Sequence, residues 1–465
     1  MKMMSSRKSA LLSAVLATTL LAGCATSIGG TAARDVSLTA GPRFPTSNLA
    51  PHPMPDSTAV SAPTGPQTSA TGSQTSATGS SGVATATTVP ESPPSSAPTA
   101  PSAPPPSSTA GPRTGAAPNS YPSAPLQYNR TPTSPESANV LEAHRIANYL
   151  VVPSFIDGTY TRGADLSTLS YKGPASMSIL FVDPMPAVAQ RAGMITGFSS
   201  ARGDGSKNAL VVAAFEFPTD AKATAAVPAF VSAVANKKDD KGEAAVPGFK
   251  AAAGRYGTSG TQPYFQAFLA QGRMVLYLYI SGPGLKTPAL QAALAAKTFA
   301  AQTAAMSHYT PTAADKLMQL PVDPGGLRAH TLPNSKDDAT VNDGVFTAAG
   351  QLHFDSEPIK TKAIFDSAGV DVVADGRASV YRARDANGAK LVQADFIAST
   401  QSTQKSMQPY QPTSGAADRT CLQQALSSYY YCVGTSGRYA YELSAKSEAD
   451  INAAMTAQAA LLAGL

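Results

Sequence analysis

The chain has 465 residues and 38 prolines, most of the prolines crowded into its first third beside Ser, Thr and Ala. Its length allows two or three domains of about 100–200 residues, but the proline-rich part lacks the apolar side chains a core needs. The formal charge of +5 falls to +2 beyond residue 23, because Lys2, Arg7 and Lys8 precede that point and no acid does; so small a charge points neither to nucleic acid nor to strong adhesion on anionic lipid.

An apolar run from about Leu11 to Leu21 follows the three cations and ends in Leu21-Ala22-Gly23-Cys24. A positive start, a short apolar stretch and small residues before a cysteine predict a secretory signal of the bacterial lipoprotein kind over residues 1–23. Cleavage then leaves Cys24 first, with a diacylglycerol on its sulfur. Two acyl chains hold a protein on a membrane where one is marginal, and the run is about half of the roughly 20 residues needed to span one. The expected location is the extracytoplasmic face of the cell membrane, with the membrane itself as first partner.

Residues 24–135 read as a disordered tether. Between Ser57 and Asn129 the only charged residues are Glu91 and Arg113, and such a segment cannot bury enough apolar surface to offset the ordering of its backbone. The repeat Gln67–Ser73 and Gln74–Ser80 is low complexity, and Ser and Thr beside Pro suggest O-glycosylation.

A first α+β domain is expected over 136–310. Val140 to Leu150 has helical spacing and stops before Pro153. Met177 to Val182 reads as a strand, and Pro186 to Ala192 as a short helix closed by Gly193. Met194 to Arg202 and Ala209 to Phe217 form a hairpin about Gly203-Asp204-Gly205. Thr219 or Asp220 caps a helix to about Asn236 that Pro228 should kink or split. Lys237 to Lys241 is expected to be a solvated loop. Tyr264 to Leu269 and Arg273 to Ser281 form a hairpin at Gln271-Gly272. Leu276, Leu278 and Ile280 lie on one face of its second strand and Val275, Tyr277 and Tyr279 on the other, as in a strand covered on both sides. Thr287 and Pro288 start an Ala-rich helix to about Met306.

After a linker over 311–348, a second α+β domain is expected over 349–465. Gln351 to Phe354 reads as a strand, Ile359 to Ser367 as a helix closed by Gly369, and Ala378 to Arg384 as a strand. Asp385-Ala386-Asn387-Gly388 reads as a hairpin turn and Lys390 to Ala398 as the returning strand. Ser427 to Val433 and Tyr439 to Ser444 flank a turn at Ser436-Gly437, and Ser447 with Asp450 caps the last helix. The halves look duplicated: Ala209–Phe215 resembles Ala389–Phe396, Gly272-Arg273 parallels Gly437-Arg438, and each half closes with an Ala-rich helix.

Once Cys24 is assigned to the anchor, Cys421 and Cys432 remain, and an even remainder in an exported chain reads as a disulfide. No His or further Cys joins them, so no metal is expected. Gly257-Thr258-Ser259-Gly260 and Gly434-Thr435-Ser436-Gly437 lack the spacing of a nucleophile elbow. His52, His144, His308, His330 and His353 form no pair at ligand spacing. Asp385 to Gly388 has glycine in the wrong place for a calcium loop. Tyr429-Tyr430-Tyr431 could offer an aromatic platform, with Tyr429 and Tyr431 on one face of a strand and Tyr430 on the other; ordinary cross-strand packing is the simpler role.

The lipobox, Glu142 to Pro153, Cys421 with Cys432-Val433, Gly437-Arg438-Tyr439 and the closing helix resemble an uncharacterised cell-envelope lipoprotein family of mycobacteria, nocardiae and their relatives. Tyr121-Pro122-Ser123 corresponds to that family's short aromatic-Pro-Thr segment. The resemblance implies compartment and architecture and assigns no catalytic residue. The expected function is binding or scaffolding of an envelope protein, glycan or lipid, without a cofactor. The alternatives are a carrier with an apolar lipid or glycolipid held between the two halves, and an envelope hydrolase with a site assembled from distant residues.

Overall fold

A computed structural model describes residues 121–163, 168–181, 184–235, 239–412 and 418–465. Cys24, His52 and the repeat at 67–80 lie outside them.

The first half runs α1 (Pro135–Ala147), α2 (Pro153–Ile156), β1 (Arg162–Gly163), β2 (Leu169–Tyr171), α3 (Met185–Ala192), β3 (Thr196–Gly203), β4 (Ala209–Glu216), α4 (Asp220–Ala235), β5 (Asp240–Ala244), β6 (Ala253–Ser259), β7 (Gln262–Gln271), β8 (Met274–Ser281) and α5 (Pro288–Met306). The second runs β9 (Gly344–Thr347), α6 (Ala348–Gln351), α7 (Pro358–Ala368), β10 (Val372–Asp375), β11 (Ser379–Arg382), α8 (Ala386–Thr403), β12 (Met407–Tyr410), β13 (Arg419–Gln424), β14 (Tyr430–Ser436), β15 (Tyr439–Ala445) and α9 (Glu448–Leu462).

Each half holds one antiparallel sheet. The first has the order β2-β3-β4-β8-β7-β6-β5, with β1 further along the outer edge of β3; the second has β9-β10-β11-β15-β14-β13-β12. Position for position the two orders are the same, so the chain is two related α+β halves. The repeat extends to side chains. Arg273 and Arg438 follow Gly272 and Gly437, both at φ 54°, a left-handed turn position that glycine fills without strain. Each arginine donates from Nε to the carbonyl just past the neighbouring strand, Phe217 at 2.9 Å and Ala383 at 2.7 Å. Each closing helix also buries a glutamine that bonds both backbone groups of an entering segment. Gln302 takes Val151 N–H and Tyr149 C=O, and Gln458 takes Leu332 N–H and His330 C=O.

Both sheets are covered on both faces. In the first, Leu276, Leu278 and Ile280 pack toward α5 with Phe299, while Val275 and Tyr277 pack toward α3 and α4 with Phe230. In the second, Tyr431 and Val433 pack under α7 and α8, and Cys432, Tyr441 and Leu443 under α9. The outer edges resist further pairing. The edge strand β5 carries a register shift between Asp240 and Gly242, and β12 carries Pro409.

Several local expectations change. The described part of the strand expected over Met177 to Val182, Met177 to Phe181, is not a strand: Gly173 and Pro174 start a 3-10 helix over Pro174–Ile179, and a short apolar run fits either form. Gln351 to Phe354 follows the Thr347 cap as the end of α6 and a turn. Lys390 to Ala398 is the middle of α8, because Asp385 accepts from Gly388 N–H at 2.8 Å and acts as an N-cap rather than a turn. The likeness of Ala209–Phe215 to Ala389–Phe396 therefore compares a strand with a helix; the topological partner of β4 is β11. α4 runs unbroken across Pro228. Asp240 is not a solvated loop charge but pairs with Arg255 across β5 and β6.

Residues 121–128, placed in the tether by composition, are held on the second half. Tyr121 donates to Asp450 Oδ1 at 2.6 Å, Leu126 N–H to Ala329 C=O at 2.8 Å, and Arg328 stacks on Tyr128. α1 then crosses to the first half. Asn148 Oδ1, at its C-cap, accepts from Thr347 N–H of β9 at 3.1 Å, while Asn342 Oδ1 accepts from Ser170 N–H of β2 at 3.1 Å, so each half supplies an asparagine to the other's edge strand. The space between the halves is filled by Phe198, Phe346, Phe354 and the rings of His144 and His353.

Cys421 and Cys432 are bonded and sit opposite each other on β13 and β14. Their sequence separation is 11, so the bridge constrains only a short loop, worth up to about 3 kcal/mol. Cys421→Ser is expected to lower the melting temperature by a few degrees in calorimetry; an unchanged value would show that the bridge contributes nothing.

Candidate functional site

Three arrangements hold the polar groups that a site could use. The first is a buried carboxylate pair where α1 meets the end of β4. Glu142 and Glu216 are both fully buried. Tyr309 Oη lies 2.5 Å from Glu142 Oε1 and 3.0 Å from Glu216 Oε2. Arg145 and Arg273 each reach one carboxylate at 2.6 Å, and Thr312 donates to Glu142 through N–H at 2.8 Å and Oγ1 at 2.7 Å. A phenol has one proton and can donate to only one of the two acids. Burial first, and then the charge of Glu142, raise Glu216 to about 7. The same burial and the same carboxylates hold Tyr309 neutral, far above the usual phenol range. Glu216 is enclosed by Tyr309, Arg273 and Glu142 rather than facing a cleft, so the group fixes 309–312 to α1.

The second arrangement is the junction. His144 Nε2 lies 2.9 Å from Val341 C=O, His353 Nε2 lies 2.9 Å from Ala147 C=O, and Arg202 donates to His353 C=O at 2.8 Å. Burial lowers both imidazoles to about 4, so both are neutral donors that tie one half to a carbonyl of the other half or of α1.

The third is open to solvent. Between α3 and α4 on the outer face of the first half runs a groove of about 530 Å³, within the range of about 300–1,000 Å³ of small-molecule sites. Val188 and Ala226 are buried along it, and Ala225 and Ala229 are its exposed walls. Arg191 and Lys222 also line it. Among the described residues neither cation has a carboxylate within 4.0 Å. The chain brings them to one end. α3 leads into β3, whose first residue Thr196 pairs with Glu216 at the end of β4, and α4 begins four residues later. The last turn of α3 therefore lies beside the first turn of α4. Pro184 and Ser232 line the groove toward the far end.

The N-terminal model of a domain of unknown function, DUF7373, matches residues 129–322, and the C-terminal model of the same domain matches 327–464. The chain belongs to the DUF7373 family. No curated protein matches it. It is similar to the extracellular domain of PknH from Mycobacterium tuberculosis at 12% identity, over 38% of this chain and 100% of that one, with a TM-score of 0.25; a likeness that weak carries no argument about function.

The DUF7373 C-terminal domain takes in the disulfide and the tyrosines. Tyr429, Tyr430 and Tyr431 do not form a surface platform, since Tyr430 and Tyr431 are buried. Tyr381 and Tyr431 both donate to Glu442, the second at 2.5 Å, and Tyr410 packs edge-on to Tyr430. Gly260 and Gly437 are turn residues at φ 60° and 54°. Among the described residues no three His, Cys, Asp or Glu side chains converge on a point where a metal could sit, and no helix is long and apolar enough to cross a membrane. The DUF7373 N-terminal domain holds the groove, which sequence reasoning missed. Its trace was present: Asp220 and Lys222, both in the first turn, are the only charged residues of the sixteen in α4, although much of that helix faces solvent.

Proposed function

We propose that the chain is a binding protein of the bacterial cell envelope, held on the membrane by a diacylglycerol on Cys24, with the segment ahead of Tyr121 as its tether and the α3–α4 groove as its ligand site. The observation that carries the binding reading is the groove itself: an open, mostly apolar channel with two cations gathered at one end. The anchor rests on Leu21-Ala22-Gly23-Cys24 and the charged, apolar leader before it.

Two measurements on the full chain expressed in an actinobacterial host test this. An alkynyl palmitate fed to the cells is expected to label the protein, and Cys24→Ala to abolish the label; label that persists refutes the anchor. Solvent extraction and native mass spectrometry of the same preparation are expected to show a non-covalent ligand at about one per chain, lost in Ala229→Trp, where the indole occupies the groove. Equal occupancy in Ala229→Trp refutes the groove as the site.

A further inference from the structure

We infer that the ligand of the groove is a single-chain amphiphile with an anionic head, a long-chain carboxylate, lying with its head between Arg191 and Lys222 and its tail along α4 toward Ser232. The inference rests on the binding reading above and names the ligand class.

Charge supplies the direction. On α3, Val188, Arg191 and Ala192 stand at i, i+3 and i+4, and on α4, Lys222, Ala225, Ala226 and Ala229 stand at i, i+3, i+4 and i+7, so each cation belongs to the stripe that lines the groove. Asp220, the only acid of α4, is two residues from Lys222 and so points about 200° away around the helix. Both cations are exposed, and among the described residues no carboxylate answers them. An anionic head can therefore bond to both without displacing an ion pair, and a guanidinium presents the fork that fits a carboxylate.

Size sets the number of chains. A groove of about 530 Å³ lies in the lower half of the usual pocket range of about 300–1,000 Å³, room for one acyl chain and not for the two of a diacyl lipid. From Lys222 to Ala233 the helix rises roughly 16 Å, and no charged side chain follows Lys222 along that length of α4. Small side chains line the path, so an extended hydrocarbon can lie close to the helix backbone. A peptide helix would need a wider trough with polar edges on both sides.

The test uses the full chain in isolated membranes with two photoreactive probes of equal length, a diazirine-bearing palmitate and a diazirine-bearing hexadecylamine, each below its micelle concentration. Palmitate is expected to crosslink to peptides covering 184–192 and 222–233 at least tenfold more than the amine. The double variant Arg191→Glu, Lys222→Glu changes only exposed side chains and is expected to invert that preference, while Ala229→Trp abolishes both crosslinks. Equal labelling of the groove by the two probes, or a palmitate signal that survives charge reversal, overturns the anionic head and leaves the binding reading standing. Labelling of the groove by neither probe overturns the carboxylate proposal, and if the extraction also yields no ligand the binding reading falls with it.

Discussion

Glu142→Ala is expected to destabilise the protein by about 3–5 kcal/mol, the range for breaking a buried charged group away from its partners. Glu142 accepts from Arg145, Tyr309 and both donors of Thr312, so alanine leaves the Thr312 backbone N–H without its acceptor and the buried phenol with Glu216 alone. Arg145 is partly exposed and can turn to water, which places the effect toward the lower end of that range. Glu142→Gln keeps the shape and one acceptor oxygen and should cost less. It should also bring Glu216 down from about 7, because the charge of Glu142 is one of the forces holding it there. Denaturant unfolding of the three proteins measures both; a loss within about 0.5 kcal/mol for the alanine variant, as at an ordinary surface site, would show that the cluster does not fasten 309–312.

Acid is expected to loosen the junction between the halves. His144 and His353 sit at about 4 in the folded protein against about 6.5 in an unfolded chain. Between those values the unfolded state binds more protons, so stability falls as pH drops from about 6.5 to 4. At about 1.4 kcal/mol per unit of pKa, each histidine contributes a loss of about 3 kcal/mol. Glu216 works the other way. Its folded value of about 7 lies above the unfolded one of about 4.5, so its ionisation opposes folding above pH 4.5, and acidification relieves that cost by about 3 kcal/mol. The net loss from pH 7 to 4 is therefore about 3 kcal/mol for these three groups. In His144→Phe, His353→Phe the histidine contribution is gone and that of Glu216 remains, so the fall in stability over the same interval should be much smaller. The slope against pH is the readout, since the substitutions also remove two hydrogen bonds; parallel slopes in the two proteins would refute the histidine contribution.

Much of the fold was legible where one short signal controls one local event. Thr287 and Pro288 start α5, Ser447 and Asp450 start α9, and Gly193 and Gly369 end α3 and α7 in the left-handed conformation. The alternation along β8 placed its two faces correctly. Reading failed where one residue type serves two purposes. Asp385 with Asn387-Gly388 suits a hairpin turn or a helix cap, and the helical spacing of the buried Ala389, Val392, Phe396 and Thr400 was the signal that decides between them. The strand assigned to Lys390–Ala398 also misaligned the duplication, which is visible in strand order and in the paired roles of Arg273 with Arg438 and Gln302 with Gln458.

The candidate site was less legible, for a reason of distance. Glu142 meets Tyr309 and Thr312 across some 170 residues of chain, and His353 meets Ala147 across 206, so no local pattern announces either cluster. The groove is the exception, because the confinement of charge to the first turn of α4 is a sequence feature. The tyrosine run misled in the opposite direction: an aromatic stretch on a strand between two helical layers is core, and the layers were not visible from the tyrosines themselves.

The strap at 121–128 sets how a pull reaches the molecule. A force on the backbone ahead of Tyr121 first meets the hydroxyl grip on Asp450 at the start of α9 and the backbone bond to Ala329, both in the second half. The start of α9 and the turn at Arg328–His330 thus take strain before α1, and the groove lies beyond α1 in chain order. A pull there would release the strap from α9 and from Ala329 before it reached α1.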